Sequence, residues 1–413
     1  MTTETTSPAS TSAAAHSRIW LIVASLVYVL LTGVGLIGDG FKLSSGGAEG
    51  AARIFEFASN PFVGVLLGTL ATGLVQSSST VTSVIVGLVA GGLPVGVAIP
   101  MIMGANMGTT VTNTIVAMAA MRDGETFRRS FAAATVHDIF NLMAIAILLP
   151  LEILFHPLER LAGACAAFLA GGGSASIKDF NFVALVTDPA VDAIAAVASL
   201  LPGTLLSGIA MILVGISLVI LSVLRLGSAL RKAMVGRALD LLHGALGRGP
   251  LLGIGTGTLV TVLVQSSSTT TSLIVPLAGS GTLSLKQVYP FTLGANIGTT
   301  VTALLAATAI SGEFETVALQ IALVHFLFNV IAVFAATYVP ILNQIPIRGA
   351  TWLGELAQRS KGMAIAYLFG VFFIIPGIAF VVESSIEADR RAQAQSLVPP
   401  VAPVAEAGKG MGG

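Results

Sequence analysis

The chain has 413 residues, 54% hydrophobic and only 10% charged, with a mean hydropathy of +0.92 and no net charge. Charged residues make up roughly a quarter of an ordinary soluble domain, so this composition excludes that class and points to a polytopic membrane protein. Zero net charge gives no ground for nucleic-acid binding, and a single cysteine, Cys165, excludes an intrachain disulfide.

Residues 1–17 are Ser/Thr/Ala-rich and read as a disordered N-terminus. The apolar run Ile19–Ile37 is long enough to span a bilayer, and no cleavage-site pattern follows it closely, so it reads as a first helix and not a removed signal peptide. The first half, 18–150, continues with a pair of half-length apolar segments at about 59–91, then crossings at about 93–119 and 128–150. Residues 151–202 are less hydrophobic and read as a short extracytoplasmic linker. The second half, 203–345, opens with a helix at 203–224 and a basic loop. A second pair of short segments follows at about 249–280, with crossings near 286–310 and 316–340. Residues 346–383 read as a loop and a last membrane helix, and 384–413 as a disordered tail.

The two halves repeat each other. "VQSSST" occurs at Val75–Thr80 and again at Val264–Thr269. "GANMGTTVT" from Gly104 matches "GANIGTTVT" from Gly294, and "ATVHDIFN" ending at Asn141 matches "ALVHFLFN" ending at Asn329. Three blocks in one order at offsets of 188 to 190 residues are an internal duplication. Charge gives its sense. The loop before the last matched helix carries Arg122, Arg128 and Arg129 in the first copy, and "SGEFE" in the second. Before the hexapeptide the bias reverses: residues 36–59 hold Lys42 and Arg53, whereas 225–248 hold Arg225, Arg231, Lys232, Arg237 and Arg248. Basic loops stay inside, so the copies are expected to be inverted relative to the membrane. On charge alone the C-terminus falls outside.

About 15 residues flank each hexapeptide glutamine, too few for two full spans of about 20. A re-entrant hairpin fits better, with Gln76–Thr80 and Gln265–Thr269 at the tips. Backbone breaks at membrane depth are tolerated where they line a cavity. A helix starting after each tip would aim free N–H groups and its positive dipole end at the tip, and serines would add donors. Two facing tips make a neutral cup for an oxyanion, and the oxygens left by the breaks suit a hard cation such as sodium. The bland alternatives are hydroxyls bonded back to their own helix, and small-residue packing for the "GANxGTT" blocks. His137 and His325 match across the copies and read as packing residues; Cys165 reads as inert.

The two VQSSST motifs, "IPMIMGANMGTTVTNTIVAM", "FRRSFAAATVHDIFN" and "YPFTLGANIGTTVTALLAA" closely resemble the type II sodium/phosphate cotransporters, over most of residues 60–380. The resemblance implies sodium-driven uptake of inorganic phosphate through the cell (inner) membrane. It also implies a homodimer of independent protomers and no cofactor beyond the transported ions. By the same resemblance, Ser77, Ser78, Ser79, Ser266, Ser267 and Ser268 hold phosphate. Gln76, Gln265, Asn106 and Asn296 brace the hairpins, and Asp123, Asp138, Asn141, Ser267 and Thr271 serve sodium. An acid at the position of Asp138 implies electrogenic transport. The family's glutamine upstream of Asp123 is Ala120 here and its following arginine is Gly124, which weakens the expectation for Asp123. A short linker, no glycosylation sequon and one cysteine suggest a stripped-down bacterial member. Three rival functions come from the residues: a sodium-coupled carboxylate transporter, an intramembrane serine hydrolase and a passive anion channel. The hydrolase would need a unique activated serine, whereas these serines are clustered and duplicated, so no enzyme is expected.

Overall fold

The structure is a computed structural model, which describes residues 8–55, 59–171, 182–245, 249–378, 381–382 and 385. Among these residues every regular element is helical. Six helical segments are long and apolar enough to cross a membrane: Ser17–Ser45, Val95–Met118, Gly124–Phe155, Thr204–Leu230, Gly312–Tyr338 and Lys361–Ile378. With 54% apolar residues and this helix set, the chain is an α-helical, multi-pass membrane protein.

In the first half, α1 (Pro8–Ser45) and α2 (Ala48–Ile54) lead to α3 (Pro61–Val75) and α4 (Ser78–Ala90). Then come α5 (Val95–Gly108), α6 (Val111–Met118) and α7 (Gly124–Phe155). The linker holds α8 (Pro157–Gly171) and α9 (Phe182–Ala198). The second half runs α10 (Thr204–Ala245), α11 (Pro250–Val264), α12 (Ser267–Gly279), α13 (Leu285–Ala307), α14 (Glu315–Tyr338), α15 (Pro340–Arg359) and α16 (Lys361–Phe369). The matched sequence blocks fall on matched helices: α3 with α11, α4 with α12, α5–α6 with α13, and α7 with α14. At about 1.5 Å per residue, α3 with 15 residues and α4 with 13 fall short of a ~30 Å hydrocarbon core, as do α11 and α12.

Small residues set the packing. Gly33 and Gly40 of α1 meet Gly215 and Gly208 of α10 so closely that a Cβ at Gly33 would lie 2.9 Å from the Gly215 carbonyl oxygen, and one at Gly208 2.5 Å from that of Gly40. The pairing order makes α1 and α10 antiparallel. The same device joins α3 to α5 and α11 to α13. A Cβ at Gly68 would stand 2.0 Å from Met101 O and one at Gly104 2.0 Å from Val65 O; their second-half counterparts are Gly257, at 2.1 Å from Phe291 O, and Gly294, at 2.0 Å from Ile254 O. Thr69 Oγ1 donates to Gly104 O at 3.2 Å and Thr258 Oγ1 to Gly294 O at 3.1 Å, stitching each pair at the same place. Without a hydrophobic drive between helices in lipid, close backbone approach and such bonds supply the association.

Several expectations are corrected. Residues 8–17 of the expected disordered N-terminus begin α1, while residues 1–7 lie outside the described residues, as does nearly all of the expected tail 384–413. The linker 151–202 contains two helices: α8 lies against α14, where Gln320 Nε2 donates to Glu159 O at 3.0 Å, and Val191 of α9 packs with Leu36 of α1. The basic loop after 224 is the continuation of α10 to Ala245. The loop expected after 346 is α15, whose Gly354 lies against Arg128 O and whose Gly349 lies against Ile139 of α7. The expected crossing at 93–119 breaks between Gly108 and Val111 into α5 and α6, whereas its counterpart α13 is continuous. α13 has 23 residues but falls outside the six most apolar segments, because it carries Lys286, Gln287, Asn296 and four threonines.

A methyl group at Gly104 or Gly294 has nowhere to go but into a backbone carbonyl. Gly104→Ala and Gly294→Ala are therefore expected to lower stability by about 2–3 kcal/mol. Gly255→Ala, where a Cβ would meet nothing within 4 Å, is expected to be neutral or slightly stabilising. Thermal unfolding of the purified variants in one detergent checks the difference; equal melting temperatures for Gly104→Ala and Gly255→Ala would contradict it.

Candidate functional site

The two hexapeptides adopt one conformation. Gln76 ends α3 in the left-handed region, φ 58°, and Gln265 ends α11 at φ 54°. The next residue is extended and caps the next helix: Ser77 Oγ accepts from Thr80 N at 3.2 Å, and Ser266 Oγ accepts from Thr269 N at 3.2 Å. The glutamine amide satisfies a carbonyl freed by the break, Gln76 Nε2 donating to Gly73 O and Gln265 Nε2 to Val262 O at 2.7 Å. Each glutamine oxygen is in turn held by a threonine hydroxyl: Thr112 Oγ1 donates to Gln76 Oε1 at 2.8 Å, and Thr302 Oγ1 to Gln265 Oε1 at 2.8 Å. Left-handed backbone is uncommon for glutamine, and the repeated bonding explains why it holds twice.

Both motifs line one cavity of about 300 Å³. Its wall contains Gln76 to Ser79, Thr112, Gln265 to Thr269, and one side of α10 at Val223, Leu224 and Gly227. No Lys, Arg or His is among these residues. The serines divide into roles. Ser77 and Ser266 are caps. Ser79 accepts from Thr302 Oγ1 at 3.4 Å, and Ser268 donates to Thr109 O at 3.2 Å, satisfying a carbonyl at the α5–α6 break. Ser78 and Ser267, each 3% exposed, line the cavity with hydroxyls that bond to no protein group among the described residues.

Thr112, Thr302 and Asn113 were not anticipated. Thr112 and Thr302 close the repeated "GTTVT" blocks in register, so the signal was in the duplication itself. Asn113 Oδ1 accepts from Thr271 Oγ1 at 2.9 Å and from Ser272 Oγ at 3.0 Å, pinning α12 to α6. Its second-half counterpart is Ala303, so α4 lacks the equivalent anchor; Thr82 and Ser83 bond back to Ser79 O instead.

Asn106 and Asn296 do not brace the hexapeptides; they tie the two halves together at a buried polar centre. Asn106 Oδ1 pairs with His325 Nε2 at 3.1 Å and its Nδ2 donates to Asn329 Oδ1 at 3.3 Å. Reciprocally, Asn296 Oδ1 pairs with His137 Nε2, and its Nδ2 donates to Asn141 Oδ1 at 2.7 Å. Asn141 Nδ2 completes the link to Asn106 O at 3.0 Å. Each copy thus offers an asparagine to the histidine and asparagine of the other, so the two histidines are hydrogen-bonded elements of the core and not merely packed.

The residues expected to serve sodium are not brought to one place. Asp123 is the exposed N-cap of α7, accepting from Thr126 Oγ1 at 2.7 Å and Thr126 N at 3.3 Å; these bonds, the side chain's first, hold its carboxyl below the ordinary range. Fifteen residues along the same helix put it roughly 22 Å from Asp138, so it shares no ion with Asp138 and Asn141. Asp138 is buried in mid-helix, with Oδ2 accepting from Tyr367 Oη at 2.8 Å and Oδ1 unpartnered. It lies outside the residues that line the serine cavity.

The sequence profile of a family described as Na+/Pi-cotransporter matches residues 29–171 and 218–344, which takes in both hexapeptides, both asparagine blocks and both histidines. The chain belongs to this family. It is 32% identical over 427 residues to sodium-dependent phosphate transport protein 2A of Rattus norvegicus, covering 87% of this chain and 67% of that one. To protein 2A of Ovis aries it is 33% identical over 429 residues, with the same coverage. To protein 2B of Homo sapiens it is 32% identical over 453 residues, covering 87% and 64%. The chain therefore spans about two thirds of the length of these relatives. No solved structure matches it.

Because this polar centre is fully enclosed, its loss should be read in stability. Asn296→Ala orphans His137 Nε2 and Asn141 Oδ1 and is expected to lower stability by about 2–4 kcal/mol, since a buried unpaired group costs about 1–3. A double-mutant cycle of Asn296→Ala with Asn141→Ala, followed by thermal unfolding, should show non-additivity above about 0.5 kcal/mol. Additive losses would contradict the bond.

Proposed function

We propose that this protein is a sodium-coupled symporter of inorganic phosphate, and that the cavity between the two hexapeptides is its anion site. The observation that carries the reading is the pair Ser78 and Ser267: residues only 3% exposed, one from each half, whose hydroxyls bond to no protein group among the described residues and which line one cavity in a member of this family. Each sits at the first turn of a helix of 13 residues whose cap serves the third N–H, leaving the earlier N–H groups and the positive dipole end to the cavity. Phosphate offers acceptor oxygens to this set of donors.

The same cavity gives a reason for coupling. Among the described residues no cationic side chain lines it, and burying an unpaired dianion is costly. Cations that enter with the anion supply the missing charge. Ser267 and Thr271, with Asn113 behind them, offer hydroxyl and carbonyl oxygens near the second hexapeptide. Asp138 and Asn141, one helical turn apart, offer a carboxylate with a free Oδ1 and an amide oxygen. We assign these two groups to sodium. An ionised Asp138 makes a second cation favourable, so transport is electrogenic.

The duplicated contacts, the short helices α3, α4, α11 and α12, and the reversed distribution of basic residues support two copies inverted across the membrane, each contributing a re-entrant hairpin with its tip at the cavity. The cell membrane as location and a homodimeric state follow from the family resemblance.

Radiolabelled phosphate uptake into proteoliposomes tests the reading. Uptake should require an inward sodium gradient and be blocked by excess phosphate or arsenate but not by succinate; inhibition by succinate would favour a carboxylate carrier. Ser78→Ala and Ser267→Ala should each reduce uptake tenfold or more at unchanged melting temperature. Ser77→Ala and Ser266→Ala, which remove caps, should lower stability by about 1 kcal/mol. Near-normal uptake by both Ser78→Ala and Ser267→Ala would sink the proposed anion site. Phosphate should evoke an inward current that Asp138→Gly abolishes while weaker, electroneutral uptake persists; a current unchanged in that variant would remove Asp138 from the sodium path.

A further inference from the structure

A second cavity, of about 510 Å³, lies between α7, α15 and α16, away from the hexapeptides. Its wall is apolar, including Leu142, Trp352, Leu356 and Met363, with Asp138 as its one acidic residue and Tyr367 beside it. Leu142 is 51% exposed and Trp352 61%, so the cavity opens on the outer surface of the helix bundle, the surface that faces lipid in a membrane. The volume is that of a drug-sized ligand site, a mostly apolar pocket oriented by a few polar groups.

The polar group here is unsatisfied. Asp138 is 1% exposed, its Oδ2 is engaged by Tyr367, and its Oδ1 has no hydrogen-bond partner among the described residues. The Thr110 hydroxyl is within reach of the carboxyl but is engaged with Met107 O at 3.1 Å. A buried carboxylate oxygen without a donor is expensive, and a ligand that brings one gains a charge-assisted hydrogen bond. A lipid headgroup does not suit the site: Asp138 lies in the middle of the 32-residue helix α7, far from either interface, where acyl chains and not headgroups are found. A hydrocarbon alone fills the volume but leaves the oxygen unpaired.

We propose that this cavity is a binding site for small lipophilic primary amines, which enter from the bilayer, place an aryl or alkyl body against Leu142, Trp352, Leu356 and Met363, and donate from the ammonium to Asp138 Oδ1. The proposal does not depend on the sodium assignment: it needs only the apolar wall and the unpartnered oxygen. If Asp138 also serves sodium, such amines compete for the same oxygen.

Trp352 makes the site readable, because Trp20 on α1 is the only other tryptophan. The full-length protein carrying Trp20→Phe is purified in detergent in sodium-free potassium buffer. It is titrated with a bromophenyl-butyl primary amine, whose bromine quenches indole fluorescence, and with the alcohol of the same carbon skeleton. Saturable quenching by the amine is expected, with an affinity at least about tenfold above that of the alcohol. Asp138→Asn, which keeps the side-chain shape, should remove that preference. Ala366→Phe, at an exposed position on the cavity wall, should weaken both ligands and leave the melting temperature unchanged. Non-saturable quenching that merely tracks partition into detergent would overturn the proposal. So would equal affinity for amine and alcohol, or an undiminished amine preference in Asp138→Asn.

Discussion

The structure turns on what happens to backbone groups where two helices are interrupted. After Val75 and again after Val264 the chain leaves helical geometry for one left-handed residue and one extended residue before a new helix starts. Such a break strands carbonyls behind it and N–H groups ahead of it, and an apolar surrounding offers no water to satisfy them. The hexapeptide solves the problem from within: the glutamine amide turns back to a stranded carbonyl and the first serine caps the following helix. The glutamine oxygen is then fixed by a threonine from a later helix of the same half, Thr112 of α6 or Thr302 of α13. What remains unsatisfied is the front of the new helix and one serine hydroxyl per copy, and both copies direct those remainders to one cavity.

This local solution sets demands elsewhere. α3 and α11 must lie close enough to the α5–α6 pair and to α13 for Thr112 and Thr302 to reach the glutamines, and the glycines at 68, 104, 257 and 294 allow it. The halves must also be held in register, and the reciprocal asparagine–histidine bonds do this with groups that cannot be released singly without leaving another buried and unpaired. The duplication is nonetheless not perfect. Asn113 corresponds to Ala303, the α5–α6 break to an unbroken α13, and Asp138 to Phe326. These three differences distinguish the halves: one anchors α12 to α6, one breaks a helix, and one places an acid in mid-helix.

Much of this was legible in the residues. Polar side chains repeated in register within apolar segments have few explanations, so the duplication, the tips and the serines stood out before any coordinates. Mean hydropathy was less informative where a helix is apolar on one side only. α15 carries Gln344, Arg348 and Glu355 among its apolar residues, which lowers its mean hydropathy and made it look like a loop, although Ala350, Leu353 and Ala357 pack inward. The linker helices were missed for the same reason. Sequence matching does not distinguish an acid that caps a helix from one that enters a site; Asp123 caps α7, and the threonine three residues later was the available sign of the cap. The Asn106 and Asn296 bonds run between halves, and no spacing within either half reveals them.

The central claim is that the two tips, one from each inverted half, meet in a single site. Single cysteines in a Cys165→Ser background at Arg122 and at Glu313, both exposed in equivalent loops of the two halves, test it by labelling with a membrane-impermeant maleimide before and after permeabilisation of right-side-out vesicles. The account predicts that Glu313→Cys reacts in intact vesicles and Arg122→Cys only after permeabilisation. Reaction of both from the same side would contradict the inversion and, with it, the facing tips.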